Sequence, residues 1–339
     1  MKIMFRTILF TILMVSAVGL LDAIAAKATQ SSSVRNVQSR LRFRGQEVID
    51  ALTVPAVPPA APLETIANTT RAAFETRAAK VYSFASADFP GAVYSIAYNA
   101  NASTVVGDYQ FPSSLGFAFT LKGGTYAELI PPGSTAALAA GINSLGEIVG
   151  GYRDDAGDIH GFLDSDGEFT TLDFPGAPLT LAQDINASGV IVGQYQDGSA
   201  NIHGFVCKSG VYTSIDYPGA SLTVATGINS AGVIVGQIVD PFGVVGGFEL
   251  ATDGTYSEIA FPGASATATS GINDTGQIAG SYSDSALVSH GFVYTPKRGW
   301  STVDVAGATA TIFTGIQNGG RVTGFYNDGF NEMHGLTGR

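Results

Sequence analysis

The sequence predicts an all-β chain, a six-bladed β-propeller of four-stranded antiparallel blades closed by an N-terminal strand that completes the last blade. Three observations carry that expectation. Glycine supplies 43 of 339 residues and no long helical pattern crosses the body of the chain, a composition suited to short strands joined by tight turns. A Gly/Asp-Ile-Asn/Gln unit recurs from Gly141, Asp184, Gly227, Gly271 and Gly315, with a degraded copy read at Ala97-Tyr98-Asn99. Its third residue falls at 99, 143, 186, 229, 273 and 317, a period of 43 or 44 residues, which fits one propeller blade. The last unit stops after three strands, and its missing fourth has a counterpart near residue 84.

Each unit divides alike. In the third, a strand carrying Ile185 ends at Asn186, and Asn186-Ala187-Ser188-Gly189 reverses the chain. Asn starts such a turn with its side chain, and Gly accepts the positive φ that follows. Val190–Tyr195 reads as a second strand, His203–Val206 as a third and Tyr212–Tyr217 as a fourth, before Pro218-Gly219 steps to the next unit. At the N-terminal side, Phe84-Ala85-Ser86-Ala87-Asp88-Phe89-Pro90-Gly91-Ala92 matches Phe169–Ala177, the fourth strand and step of another unit. Pairing it with the three-stranded last unit would remove an exposed sheet edge; the chain is expected to act as a monomer.

Ahead of the body, residues 1–26 read as a signal peptide. Lys2 and Arg6 precede an apolar run, Ile8–Leu21, and Ala23-Ile24-Ala25 fits the small-x-small cleavage pattern. The run is shorter than the roughly 20 residues that span a bilayer, and no later segment is long and apolar enough, so an exported protein without a membrane span is expected, periplasmic or extracellular. Residues 27–80 read as a linker, with Arg35, Arg40, Arg42 and Arg44, then Pro55, Pro58, Pro59 and Pro62; Glu64–Lys80 suits a short helix. Charge divides at the same place: residues 1–80 hold 10 Lys or Arg against 5 Asp or Glu, residues 81–339 hold 7 against 23. An acidic body disfavours nucleic acid, whose phosphates need a positive surface. The basic linker could instead attach the body to a cell-surface component.

The units over 81–339 resemble the bacterial extracellular repeats named for a His-Ala-Phe tripeptide, with a Gly-Ile-Asn-x-x-Gly-x-Val-Val-Gly core. Here the tripeptide reads His160-Gly161-Phe162, His203-Gly204-Phe205, His290-Gly291-Phe292 and His334-Gly335-Leu336, and lacks His at Leu115-Gly116-Phe117 and Gly246-Gly247-Phe248. The resemblance implies a secreted repeat domain and transfers no catalytic residue.

The histidines occupy one repeat position, each six residues after an aspartate: Asp154 and His160, Asp197 and His203, Asp284 and His290, Asp328 and His334. An Asp across a hairpin can accept from the ring N–H and fix its tautomer, so these pairs read as structural latches. A metal needs several ligands around one point, which equivalent positions on separate blades do not supply; no metal and no cofactor is expected. Asp88, Asp173 and Asp216 recur in a separate Asp-Phe/Tyr-Pro-Gly-Ala step, read as a turn between blades. Gln183, Thr226, Ser270 and Thr314, with Thr180, Thr223, Thr267 and Thr311, are candidates for a channel-facing set whose neutral groups would suit a neutral or sugar-like ligand. The competing reading is that they satisfy backbone groups between blades. No unit holds a unique catalytic cluster, so the expected role is a non-enzymatic binding or scaffold module; the alternative is a hydrolase, lyase or lactonase at the channel mouth.

Overall fold

The computed structural model describes residues 82–112, 116–330 and 332–339. The expected signal peptide 1–26 and the linker 27–80, with its arginines and its helix, lie outside the described residues. Those described form strands and turns and no helix. β1 (Phe84–Ser86) precedes five sets of four. They are β2 (Tyr94–Ala100), β3 (Thr104–Gln110), β4 (Phe117–Lys122) and β5 (Thr125–Leu129); β6 (Ser134–Ile142), β7 (Ile148–Asp154), β8 (Ile159–Ser165) and β9 (Glu168–Leu172); β10 (Leu179–Ile185), β11 (Ile191–Gln196), β12 (Ile202–Lys208) and β13 (Val211–Ile215); β14 (Leu222–Ile228), β15 (Ile234–Val239), β16 (Val245–Leu250) and β17 (Tyr256–Ile259); and β18 (Ala266–Ile272), β19 (Ile278–Ser283), β20 (Ser289–Thr295) and β21 (Gly299–Thr302). β22 (Ala310–Ile316), β23 (Val322–Asn327) and β24 (Met333–Gly338) end the chain. Within each set successive strands pair antiparallel.

Two single parallel pairings, Leu179 with Ile159 and Tyr94 with Met333, join neighbouring sets, so the strands group into two eight-stranded and two four-stranded sheets. β1 pairs antiparallel with β24, Phe84 opposite Gly338 and Ser86 opposite Leu336. Backbone bonds extend that ladder on both sides, Ser83 N–H to Arg339 O at 2.9 Å and Ala87 N–H to Gly335 O at 2.8 Å. The first strands of the sets adjoin one another in chain order, and β22 adjoins β2.

The repeat motif follows from this packing. Every first strand has a bulge just before the Gly/Asp position, as between Ala182 and Asp184. Gly193 lies on the second strand under Phe205, and a Cβ there would stand 2.1 Å from Leu181 O and 2.8 Å from the Phe205 ring. Only glycine permits that approach, which accounts for the second Gly of the unit and for the Phe of the tripeptide at once. Phe119, Phe162, Phe205, Phe248 and Phe292 are all fully buried in this role, and burying one such side chain is worth roughly 1.5–3 kcal/mol. Each set packs against the next through such a cluster; Val149 and Leu172 of one meet Ala182, Ile191 and Phe205 of its neighbour. Where the first strands converge, Ile96, Leu138, Leu181 and Ile312 form a single apolar cluster.

The first set sits two residues later than the regular period places it. Its bulge lies between Ala97 and Asn99, and Gly107 pairs with Phe119. The degraded unit is therefore Asn99-Ala100-Asn101, not Ala97-Tyr98-Asn99. The tripeptide counterpart is Phe117-Ala118-Phe119, not Leu115-Gly116-Phe117.

Candidate functional site

At one end of the sets the first-strand residues build a cycle of side-chain hydrogen bonds. Asn101 Nδ2 donates to Asn143 O (3.0 Å), Asn143 Nδ2 to Asn186 O (3.1 Å) and Asn186 Nδ2 to Asn229 O (3.1 Å). Asn229 Nδ2 donates to Asn273 O (3.4 Å), Asn273 Nδ2 to Gln317 O (3.0 Å), and Gln317 Nε2 returns to Asn101 O. Each asparagine also holds its own turn: Asn186 Oδ1 accepts from Ser188 N–H at 3.0 Å and Val190 N–H at 3.1 Å. The Asn of the repeat is thus a turn former and an inter-set tie together, and its amide is largely consumed by those tasks.

The residue two places before each amide is glycine in four sets, because the backbones nearly touch. A Cβ on Gly141 would stand 2.7 Å from Asp184 Cα, and one on Gly227 2.9 Å from Gly271 Cα. Asn99 and Asp184 break this pattern. Asn99 Nδ2 donates to Asp184 Oδ1 at 3.0 Å, joining the first and third sets over Gly141 of the second. Asp184 also accepts from Ile185 N–H (2.9 Å) and from Ile228 N–H of the fourth set (3.0 Å). Asp184 is only 8% exposed. Burial pushes its carboxyl up to about 7, although the Ile228, Ile185 and Asn99 hydrogen bonds pull the other way.

The amide cycle encloses a cavity of about 280 Å³. Asp184 and Asn99 both line it. Ser230, Asp274 and Asn318 line its outer turns, where Asp274 accepts from Ser230 N–H at 2.8 Å and from Asn318 Nδ2 at 2.6 Å. Among the described residues that line it, Asp184 and Asp274 are the only charged ones.

The eight hydroxyl and amide positions put forward for the channel line none of this cavity. Thr180, Thr223, Thr267 and Thr311 are buried, and their hydroxyls accept from the N–H groups of Phe174, Tyr217, Phe261 and Val305 at 2.9–3.0 Å. Thr226 Oγ1 donates to Thr269 O at 2.9 Å and Thr314 Oγ1 to Ala97 O at 2.6 Å, each the backbone of the following set. Ser270 is buried and Gln183 half-buried. Their alternation along the strand aims four of them at a step turn and spends two others on a neighbouring backbone, so the geometry puts them between sets and not in the opening.

The histidines lie at the opposite end of the strands. His160, His203, His290 and His334 each sit between two carboxylates, and the nearer is the step aspartate. Nδ1 meets Asp173 at 3.0 Å, Asp216 at 2.6 Å, Asp304 at 2.8 Å and Asp88 at 3.1 Å. Nε2 faces Asp154, Asp197, Asp284 and Asp328 at 3.6, 3.5, 3.6 and 3.7 Å. The expected pairs are therefore present as the looser half of a clamp. Burial alone would lower His203 and His290; the hydrogen bonds and charges of Asp216 and Asp197, and of Asp304 and Asp284, raise both. Asn201, then backbone N–H groups, hold Asp197 down at about 2. Each ring stacks on a tyrosine, as His203 on Tyr195 at 5.1 Å, and Tyr195 in turn lies flat on Phe174 at 3.6 Å. Such a clamp orients a ring and ties the step to the set, and its repetition marks a fold device. Asp328, Glu332 and His334 bring three donor atoms within 4.8 Å of one another. Cys207 is buried and free.

No family model matches the sequence, and no curated protein matches it. Solved structures do. The chain is similar to TolB from Acinetobacter baumannii, with 10% identity, 70% of this chain and 64% of TolB covered, and a TM-score of 0.51. It is similar to AofleA from Arthrobotrys oligospora, with 12% identity, 76% and 87% covered, and a TM-score of 0.50. A fucose-recognising lectin of Aleuria aurantia, described as a six-bladed β-propeller, covers 72% of this chain and 90% of its own at 12% identity and a TM-score of 0.46. Identities this low concern the fold alone. The described residues are all-β, and the structural neighbours include a lectin described as a six-bladed β-propeller. Among the described residues no helix is long and apolar enough to cross a membrane.

Proposed function

We propose that the chain is an exported six-bladed β-propeller of the His-Ala-Phe repeat type, closed by β1 on β24, acting as a non-enzymatic binding or scaffold module. Its ligand is small, polar and carbohydrate-like, and is held in the cavity inside the amide cycle. The observation that carries this reading is the cavity itself: a concave site walled by six equivalent repeat positions, large enough for one sugar ring and lined by amides, apolar side chains and the carboxyls of Asp184 and Asp274. The histidine clamps, which have the residue types of an acid–base site, recur in four sets at the other end and are satisfied by their own aspartates.

The test is a thermal-shift and calorimetric screen of the full chain against neutral mono- and oligosaccharides. Saturable binding that is lost in Ser230→Trp, which fills the outer turns, supports the module. Absence of binding across the panel, or binding untouched by that substitution, counts against it.

A further inference from the structure

The cavity departs from its own symmetry at one level. Four sets place glycine there; the first and third place Asn99 and Asp184. A carboxylate has about four acceptor positions. Asp184 Oδ1 uses two, on Asn99 Nδ2 and Ile185 N–H, and Oδ2 uses one, on Ile228 N–H. One position on Oδ2 is left, on a residue that lines the cavity. The surrounding amides have little to offer a ligand: Asn143 Oδ1 accepts from Leu145 and Glu147 N–H, Asn273 Oδ1 from Thr275 and Gln277 N–H, and their Nδ2 groups tie the next set. The free recognition chemistry is therefore that of a carboxyl which burial holds near neutral, and a cationic partner favours its ionised form. Among the described residues no Lys or Arg lines the cavity to balance Asp184 and Asp274, and at the buried Asp184 such an imbalance weighs more than it would on the surface.

We infer that the cavity takes a ligand bearing a cationic nitrogen, of the amino-sugar class, with its ammonium directed to Asp184 and Asp274 at the outer turns as the second carboxylate. This rests on the binding reading above and narrows it. A neutral sugar fits by size but leaves Asp184 unmatched. A uronic acid of the same size brings a further negative charge to a site where the described residues place no cation.

Three sugars of nearly equal shape separate these possibilities: glucose, glucosamine and glucuronate, titrated calorimetrically into the full chain at pH 7. Glucosamine is expected to bind about tenfold tighter than glucose, a difference of about 1.4 kcal/mol, with no detectable binding of glucuronate. Asp184→Asn should erase the preference. Asp274→Asn, at an exposed turn, should reduce it several-fold and serves where Asp184→Asn fails to fold, with the unfolding midpoint measured for each variant. Equal binding of glucose and glucosamine, or a preference retained in both variants, overturns the inference and leaves the binding module standing. Failure of all three sugars to bind overturns both.

Discussion

Asp108 shows how one buried carboxyl can set the behaviour of a whole chain. It is 3% exposed; Oδ2 accepts from Tyr94 Oη at 3.2 Å and Oδ1 has no hydrogen-bond partner among the described residues. Burial raises it to about 7, against weaker lowering by the Tyr94 hydrogen bond. An ordinary aspartate titrates at about 3.9, so the folded chain binds this proton more tightly than the unfolded one. The stability it lends at low pH is then lost as pH rises through 7, and Asp184 acts in the same direction. His203 and His290, raised in the fold, likewise lose their contribution as pH climbs past them. Asp108→Asn puts an uncharged amide in the same space. The urea midpoint should fall less between pH 5 and pH 8 in this variant than in the parent; identical slopes would show that Asp108 does not titrate there. The six-residue spacing suggested Asp154 and His160 as partners, yet Asp240 persists where His is replaced by Gly246. The step aspartate behaves differently: it becomes Ala260 in that same set and Ile130 in the first set, which also has no histidine. Residues that come and go together in one chain mark the closer contact, and the 2.6–3.1 Å bonds bear that out. Asp184 is visible as the one acid in a glycine column, but nothing local in the sequence marks it as a residue that lines a cavity.

The turn-and-tie asparagine is the element on which each set depends. Asn229 Oδ1 accepts from Val233 N–H at 3.0 Å while Nδ2 donates to Asn273 O. Asn229→Ala removes both; Asn273 O keeps the Gly276 N–H, but the half-buried Val233 N–H loses its acceptor, a cost of about 1–3 kcal/mol. Asn229→Asp keeps the acceptor and loses the donor, so denaturant unfolding should rank parent, Asp variant, Ala variant in falling stability. An Ala variant as stable as the parent would mean that the cycle is ornamental. Strand identity within the sets was legible, since the alternation, the Asn-to-Gly turn and the Pro-Gly step are local signals. The third set observed, Leu179–Ile185 to Val211–Ile215, agrees with its reading to within a few residues. Register in the first set was not legible. A period of 43 or 44 was extrapolated to a unit that stands 42 residues before the next, and the bulge at Ala97 and Asn99 that fixes its true place leaves no mark in composition. The direction of the threonines was lost for the same reason, because a bulge decides which face a side chain takes.

For the molecule as a whole, the propeller reading rests on how the two ends of the body meet. Asp88 accepts from Gly335 N–H at 2.8 Å and faces His334, Thr314 and Thr323 donate to Ala97 O and Tyr98 O, and Gln317 closes the amide cycle on Asn101. These bonds link residues more than 200 positions apart, with no disulfide to hold them. The match of Phe84–Ala92 to the end of another unit made the β1–β24 pairing readable in advance, because a set short of one strand needs a donor. The chemistry of the cavity was not, since it arises only where six strands converge. Closure is tested most directly by trapping it. Ala85 and Thr337 stand opposite each other in the β1–β24 ladder, and opposed Cβ atoms in an antiparallel pair lie about 4.5–5.5 Å apart, within reach of a disulfide after slight adjustment. In Ala85→Cys/Thr337→Cys, made in a Cys207→Ser background, mild oxidation should form an intramolecular bond in nearly every molecule and raise the melting temperature. Two free thiols in a folded, monomeric protein would contradict the ring.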